Sequence, residues 1–424
     1  MPPFRVAFYY SQQNRYSINS LLSALEDIEL VPIRLIEEFE DLVKFSQEAV
    51  SAKEKVILMI SLNSIQALSL EDKIRALKSF CGKNLILIGG GPHATGLPFH
   101  LLDMGFDFVV RKEGEDVVGK LLTAIMKGYD FTEIRGLLFR KDNGEIVDTG
   151  SSELIDMDRY YSFPVRVWKV FSPIEISRGC PYGCYYCQTP QIFGRAMRHR
   201  SLQKIMEMIE IMAKSGRKDI RFITPNALAY GSNGLTLNYG KVEELLRAAR
   251  SILGKNGRIF FGTFPSEIRP EFVDREVVSL IKNYADNDNV TIGAQSGSER
   301  LLEKMGRKHT LGDVLKAVML FRGAGFKVNV DFIFGLPDEN ENDLKETFKF
   351  IDSLVTLGAK IHAHYFLPLP STPYGLKEPK PIGANVFKKL EELTGKGLVF
   401  GAWKKQVEIS NALSNLIMRY SSDF

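Results

Sequence analysis

The stretch Ile174-Glu175-Ile176-Ser177-Arg178-Gly179-Cys180-Pro181-Tyr182-Gly183-Cys184-Tyr185-Tyr186-Cys187 places three of the chain's four cysteines within eight residues, directly after a short apolar strand. In a chain of 424 residues this crowding is not a disulfide framework, which is the device of small secreted domains. A loop that gathers three thiolates is a soft-ligand site, and soft sulfur suits iron-sulfur clusters and zinc. Gaps of three and two residues let one loop wrap three corners of a cubane and leave the fourth iron open, whereas a structural zinc requires a fourth side chain. His199 is the candidate for that fourth ligand, so zinc remains an alternative on the sequence alone. The remaining cysteine, Cys81, ends a helical pattern before an apolar strand and reads as a buried structural thiol.

Downstream of this loop, apolar runs alternate with amphipathic stretches. Strands are expected at Ile174 to Ser177, Ile220 to Thr224, Arg258 to Thr263, Val290 to Ala294, Val328 to Phe334 and Ile361 to Phe366. Leu202, Ile205, Met206, Ile209 and Met212 share one face at helical spacing, and Ser201 is placed to cap that helix. Six such units predict a partial (β/α)6 barrel, in which functional loops follow the strands. Upstream, Val6 to Tyr10, Val31 to Ile36, Val56 to Ser61, Leu85 to Ile88 and Phe106 to Val110 read as five strands of an α/β, doubly wound, Rossmann-like parallel sheet. Gly136 to Phe139 and Ile146 to Asp148 flank Asp142-Asn143-Gly144 as a hairpin. The expected division is a Rossmann-like domain at 1–135, a hairpin and linker at 136–170, the partial barrel at 171–372 and a helical C-terminal extension at 373–424.

Cys-x-x-x-Cys-x-aromatic-Cys after an initial strand resembles the signature of the radical S-adenosylmethionine (SAM) superfamily. The resemblance implies a 4Fe-4S cluster on Cys180, Cys184 and Cys187, whose open iron chelates SAM. An electron then cleaves the sulfonium to give a 5'-deoxyadenosyl radical, in a dry cavity that prevents its quenching. It implies further that Tyr186 packs beside the adenine. Thr224 and Asn226 stand where relatives hold the methionine amino group, although the common Gly-Gly-Glu is absent. Ser266 and Glu267, with Arg269, are candidates for the ribose or carboxylate, and Gln295 and Ser296 point toward the cofactor. The latter pair opens a motif that continues through Leu301, Met305, Arg307 and His309. Phe332 and Pro337 belong to a backbone-lined adenine pocket, and His362, His364 and Tyr365 face substrate.

In the first domain, Leu85-Ile86-Leu87-Ile88-Gly89-Gly90-Gly91-Pro92-His93-Ala94-Thr95 sets three glycines after a buried strand, where backbone can approach a large ligand. The spacing is not that of the dinucleotide fingerprint. Together with Arg111-Lys112-Glu113-Gly114-Glu115 and the cysteine motif, this turn resembles the cobalamin-binding radical SAM enzymes. The resemblance implies corrin contacts at Ser61, Asn63, Gly89, Gly90, Gly91, Pro92, Glu113 and Gly114, with His93 lining the pocket. Asp-x-His-x-x-Gly is absent, which leaves the cobalt's axial ligand open.

The activity so implied is a cobalamin-dependent methyltransferase acting on an unactivated carbon. A non-methylating rearrangement or cyclisation is the alternative, and a zinc or iron-sulfur RNA-binding module is a second. An electron donor such as ferredoxin or flavodoxin is implied as a partner. Composition narrows the rest only modestly. Lys plus Arg exceed Asp plus Glu by 55 to 51, which makes no strong field, so nucleic acid is neither implied nor excluded. No apolar run reaches the roughly 18 residues of a membrane span, and Met1 to Tyr10 has no export-signal pattern, which together predict a cytoplasmic protein.

Overall fold

The computed structural model describes residues 3–28 and 31–420. The outermost residues of the expected terminal domains, 1–2 and 421–424, lie outside the described residues, as do 29–30. The chain divides into two compact units, Met1–Ser172 with Leu416–Phe424, and Pro173–Asn415.

In the first unit, β1 (Phe4–Tyr9), β2 (Ile33–Ile36), β3 (Lys55–Ser61), β4 (Leu85–Gly90) and β5 (Phe108–Val110) pair in parallel in the order β2-β1-β3-β4-β5. The near-continuous apolar run of β3 follows from burial on both faces. Val56, Leu58 and Ile60 join one core with Leu42, Leu70 and Leu77, while Ile57 and Met59 join another with Leu22 and Leu121. The helix Ser64–Cys81 starts in a capping box: the Asn63 side chain accepts from the Gln66 backbone N–H, and the Gln66 side chain accepts in return. Cys81 is buried in the first of these cores, as its sequence context implied.

The expected hairpin forms and belongs to this sheet. β6 (Leu137–Arg140) pairs antiparallel with β5, and β7 (Ile146–Asp148) with β6, giving seven strands. Leu137 and Phe139 enter one core and Leu138 the other, so β6 is covered on both faces. The segment after it is also held locally, because the Glu26 carboxylate accepts the backbone N–H groups of Val165, Arg166 and Val167 at 2.7–3.0 Å.

The second unit begins with β8 (Ile174–Glu175) and β9 (Ser177–Arg178), two pieces of the single strand expected there. β8 pairs in parallel with β11 (Asp219–Ile223), and β9 pairs antiparallel with β10 (Arg198–His199). β12 (Arg258–Phe260) follows on β11, and β13 (Asn289–Gln295), β14 (Lys327–Phe334) and β15 (Lys360–Tyr365) form a second parallel group. Ile268 bridges to Ile292, and the Thr291 N–H donates to the Gly262 carbonyl at 2.9 Å, which connects the two groups. The six expected strands are therefore present.

The C-terminal extension is not purely helical. Between the helices Ala384–Gly395 and Trp403–Arg419 lies β16 (Val399–Phe400), which adds in parallel to β15. Two residues are too few to show a period in the sequence. No described helix is long and apolar enough to cross a membrane.

Candidate active site

The cysteine loop is shaped by what its backbone touches. Gly179 sits at φ +83°, and a Cβ there would lie 2.1 Å from the Ala196 carbonyl, so only glycine lets the loop pass the segment that leads into β10. The Cys180 N–H donates to the Gly194 carbonyl at 3.1 Å, and the Tyr185 N–H donates to that of Met305 at 2.9 Å. Tyr185 in turn accepts from the Tyr374 N–H at 2.9 Å. Cys184 is buried and its two partners are half-buried.

Burial pushes the Cys180 and Cys187 thiols up, and neighbouring cysteines push the same way. Three thiolates can share this loop only with a cation among them. Single zinc fits poorly: tetrahedral Zn–S bonds of about 2.3 Å bring sulfurs to about 3.8 Å of one another. Among the described residues, the trio with ligand atoms all within 4.8 Å is a different one, Asp331, His362 and His364. His199 is also committed, its Nδ1 to Ser177 Oγ at 2.8 Å and its Nε2 to the Ser232 carbonyl at 2.6 Å.

The three cysteines open on a cavity of about 410 Å³ at the carboxyl ends of the strands. Tyr186 and Thr189 line it beside them, and Thr224, Glu267, Arg269, Gln295, Arg307 and Asp331 supply its polar wall. His364, Tyr365, Ile333 and Leu367 complete it. Two buried polar atoms of its lining residues have no protein partner, Arg269 Nη2 and Arg307 Nε. Such atoms call for a polar ligand.

Residues 174–351 match the Radical SAM superfamily. They form a radical SAM domain. An uncharacterized methyltransferase of Pyrococcus horikoshii is 27% identical over 64% of this chain and 59% of its own. The chain spans about three fifths of the length of the curated relatives it matches. Among solved structures, the radical SAM methyltransferase TsrM of Kitasatospora setae, with cobalamin and a 4Fe-4S cluster bound, aligns at TM-score 0.68 and 20% identity, covering 89% of this chain and 74% of that one. The cobalamin-dependent radical SAM enzyme OxsB, with aqua-cobalamin bound, aligns at TM-score 0.64 and 17% identity, covering 94% and 56%. The chain thus shares its fold with cobalamin-dependent radical SAM enzymes, a Rossmann-like unit preceding the radical SAM domain.

Within the radical SAM domain, the structure sorts the expected residues. Cys180, Cys184, Cys187, Tyr186, Thr224, Glu267, Gln295, His364 and Tyr365 all reach the cavity. Gln295 does so from φ +75° at a register irregularity in β13. Asn226 and Ser266 do not line it. They are buried behind its wall, where Asn226 Oδ1 accepts from the backbone N–H groups of Leu228 and Arg269 at 3.3 Å. Ser296 is a turn residue whose Oγ accepts from the Ser298 N–H at 3.1 Å.

Phe332 brings no side chain to the cavity. Side chains alternate along β14, so Asp331 and Ile333 face the cavity, while Phe332 turns to Phe350 on the helix Glu341–Thr356, 6.4 Å between ring centroids. Pro337 lies beyond the cavity, and so does His362, which stacks on Phe400 at 4.6 Å and 4°. The contribution of Asp331 was missed, although a lone carboxylate inside Val-Asn-Val-Asp-Phe-Ile-Phe is a signal. Arg307 was seen only as part of a motif. Its Nη2 donates to the Gly293 carbonyl at 2.6 Å, and its Nη1 lies 3.8 Å from Cys184 Sγ. Burial, and then the charge of Asp331, push the Glu267 carboxyl up against the opposing pull of Arg307.

At the end of β14, Glu339 is buried and accepts the Gly335 N–H at 2.7 Å, yet burial still pushes its carboxyl to about 8. The folded state therefore holds this proton more tightly than the unfolded chain does, and stability is lost as pH rises from about 4.5 toward 8. Glu339→Gln keeps the acceptor and removes the charge. It is expected to melt like the parent near pH 4 and on the order of 10 °C higher at pH 8. Equal melting at both pH values, by calorimetry, would contradict this.

In the first unit, the glycine turn separates into three roles. A Cβ on Gly89 would lie 2.6 Å from Leu101 Cδ2, so this glycine serves core packing. Gly91 has φ +92° and would press on Ser61 Oγ and the Leu62 backbone at 2.7–2.9 Å. Only Gly90 has room, with its nearest atom at 3.8 Å. His93 is fully buried, with Nδ1 3.0 Å from Ser64 Oγ and Nε2 2.9 Å from His100 Nδ1, and burial pushes its pKa down to about 3. It is a neutral core histidine rather than a pocket-lining one. Glu113 is buried too, accepting the Ile155 N–H at 2.9 Å. Ser61 Oγ lies 2.8 Å from Ser17 Oγ, at the ends of strands where half-buried Asn63, Gly90 and Pro92 also lie, and Gly114 starts the helix Glu115–Lys127.

Proposed function

We propose that this protein is a cobalamin-dependent radical SAM enzyme that methylates an unactivated carbon. The observation that carries the reading is the convergence of three cysteines, whose sulfurs are not drawn together as a single zinc would hold them, on a cavity whose wall carries the unpartnered donors of Arg269 and Arg307. Cys180, Cys184 and Cys187 would hold the cluster. Thr224, Gln295, Arg269 and Arg307 are placed to hold the polar end of SAM, and Tyr186 its adenine. In the first unit, Gly90, Pro92, Ser61 and Ser17 offer bare backbone and hydroxyls at strand ends, the place where ligands of such sheets bind. His93 is committed to Ser64 and His100, so it is unsuited to reach cobalt. When bound, the cluster supplies the electron that cleaves SAM, and cobalamin carries the methyl group.

The chain's own residues orient SAM and exclude water. Ile333, Phe366, Leu367 and Leu369 give the cavity an apolar side that excludes water. The name of the Pyrococcus horikoshii relative and the likeness to the methyltransferase TsrM support methyl transfer as the outcome, while other relatives are named putative methylthiotransferases. An external one-electron donor of ferredoxin or flavodoxin type completes the requirement.

The test is anaerobic reconstitution of the full chain with iron, sulfide and cobalamin, followed by incubation with SAM, a strong reductant and a substrate panel. Corrin is expected to co-elute with the protein, and 5'-deoxyadenosine and S-adenosylhomocysteine to accumulate together. Deoxyadenosine without S-adenosylhomocysteine would replace methylation with a rearrangement or cyclisation. Absence of both would overturn the reading.

A further inference from the structure

We propose that Asp331, His362 and His364 form a second metal site, which takes one divalent transition-metal ion and keeps an open coordination position toward the cavity. The site is built by strand pairing. Asp331 and His362 are register partners across β14 and β15, and His364 follows His362 by two residues on the same face.

Asp331 Oδ1 lies 3.0 Å from His362 Nδ1, which lies 3.2 Å from His364 Nε2, and all three ligand atoms fall within 4.8 Å of one another. Metal–ligand bonds of about 2.1 Å separate neighbouring ligand atoms by about 3.0 Å in an octahedron and about 3.4 Å in a tetrahedron. The two close separations lie in that interval.

Hydrogen bonding alone accounts for the trio less well. His362 Nδ1 meets both Asp331 and His364, yet one ring nitrogen offers either a proton or a lone pair. If it donates to Asp331, it has no lone pair for His364. If it accepts from His364, it turns a lone pair toward the carboxylate. A cation at the point of convergence uses all three lone pairs at once.

Two imidazoles and one carboxylate are a donor set for zinc and for ferrous iron with free positions. The surroundings also match a ligand set. Asp331 is hydrogen-bonded by Glu267, and the His362 ring is fixed by stacking on Phe400 at 4.6 Å. Asp331 and His364 both line the cavity, so a free position there would take an oxygen donor of the substrate, such as a carboxylate or hydroxyl. The site shares no residue with the cysteine loop, and it stands or falls separately from the cluster.

Zinc is the probe. The full chain, with its cluster reconstituted, is dialysed against zinc and then against buffer, and zinc is counted by elemental analysis apart from iron. One zinc per chain is expected. His362→Ala, His364→Gln and Asp331→Asn should each weaken binding at least tenfold while the cluster absorption stays unchanged. Because a changed strand could misfold, each variant is compared with the parent by circular dichroism and melting, and His364→Gln retains most of the side-chain volume. In a chain whose three cysteines are alanine, cobalt(II) should still give the visible bands of nitrogen and oxygen ligation. Zinc retained by folded histidine variants, or no zinc held by the parent, would overturn the site and leave the trio a hydrogen-bonded relay.

Discussion

Changing any one of Cys180, Cys184 or Cys187 to alanine is expected to abolish cluster absorption and bring 5'-deoxyadenosine formation to background, and for Cys180 and Cys187 the melting temperature of the cluster-free chain stays nearly unchanged. The loop's shape rests mainly on backbone contacts. It is pinned by the backbone contacts of Cys180 to Gly194 and of Tyr185 to Met305 and Tyr374, and Gly179 fixes its entry. Cys180 and Cys187 are half-buried, so their sulfurs contribute little apolar burial. The effect on chemistry is total because a cubane held at two corners loses both its anchorage and the geometry that exposes its fourth iron. Anaerobic absorption spectra and chromatography of the nucleoside product check the result. A single alanine variant that keeps both signals would remove the cysteine loop from the mechanism.

Gly91→Ala is expected to cost about 2–6 kcal/mol, the sum of about 1–3 for a left-handed backbone and about 1–3 for overpacking. The added Cβ would meet Ser61 Oγ and the Leu62 carbonyl and nitrogen at 2.7–2.9 Å, two of them backbone atoms. That backbone has little freedom to retreat. Leu62 N–H donates to the Gly90 carbonyl at 2.9 Å, and the Leu62 carbonyl accepts the His93 N–H at 3.0 Å. Against a typical stability of about 5–15 kcal/mol this is a large loss. Gly90→Ala is the matched control: its backbone is extended and its nearest neighbour stands at 3.8 Å, so a cost below about 1 kcal/mol is expected. Urea titration of the two variants side by side decides the matter. Equal midpoints would show that the close approach at residue 91 is relieved without cost.

Much of this architecture is legible in the residues, for reasons that also explain the failures. β3 and β14 announce themselves because parallel strands covered on both faces are apolar runs bounded by turns. The same property hides which side chain faces which way. That Asp331 rather than Phe332 turns its side chain to the cavity is not legible in an apolar run without alternation, and only the pairing with β13 and β15 fixes the parity. The hairpin at residues 137–148 was visible, but its partner strand was not, since local turn chemistry says nothing of the edge on which a hairpin docks.

The glycine turn is similar. Three consecutive glycines suggest one ligand surface, yet packing against Leu101, contact with Ser61 and Leu62, and open space divide them. His93 and Glu113 drew attention as polar residues beside that turn, whereas Ser64, His100 and the Ile155 backbone, distant in sequence, claim them for the interior. The convergence of Asp331 with His362 and His364 depends on the register between two strands, which no single segment contains.

The short strand β16 bears on how copies of this chain behave at high concentration. A six-residue parallel strand left at the margin of a sheet presents a row of unmatched amides and carbonyls to any neighbour with a similar margin. By pairing Val399 with Ile361 and Phe400 with His362, the C-terminal segment covers part of that row on β15 and substitutes a margin of only two residues. The Leu398 carbonyl extends the cover by accepting the Ile361 N–H at 2.9 Å. A segment that first reads as an appendage thus shortens the edge this sheet offers to a second copy.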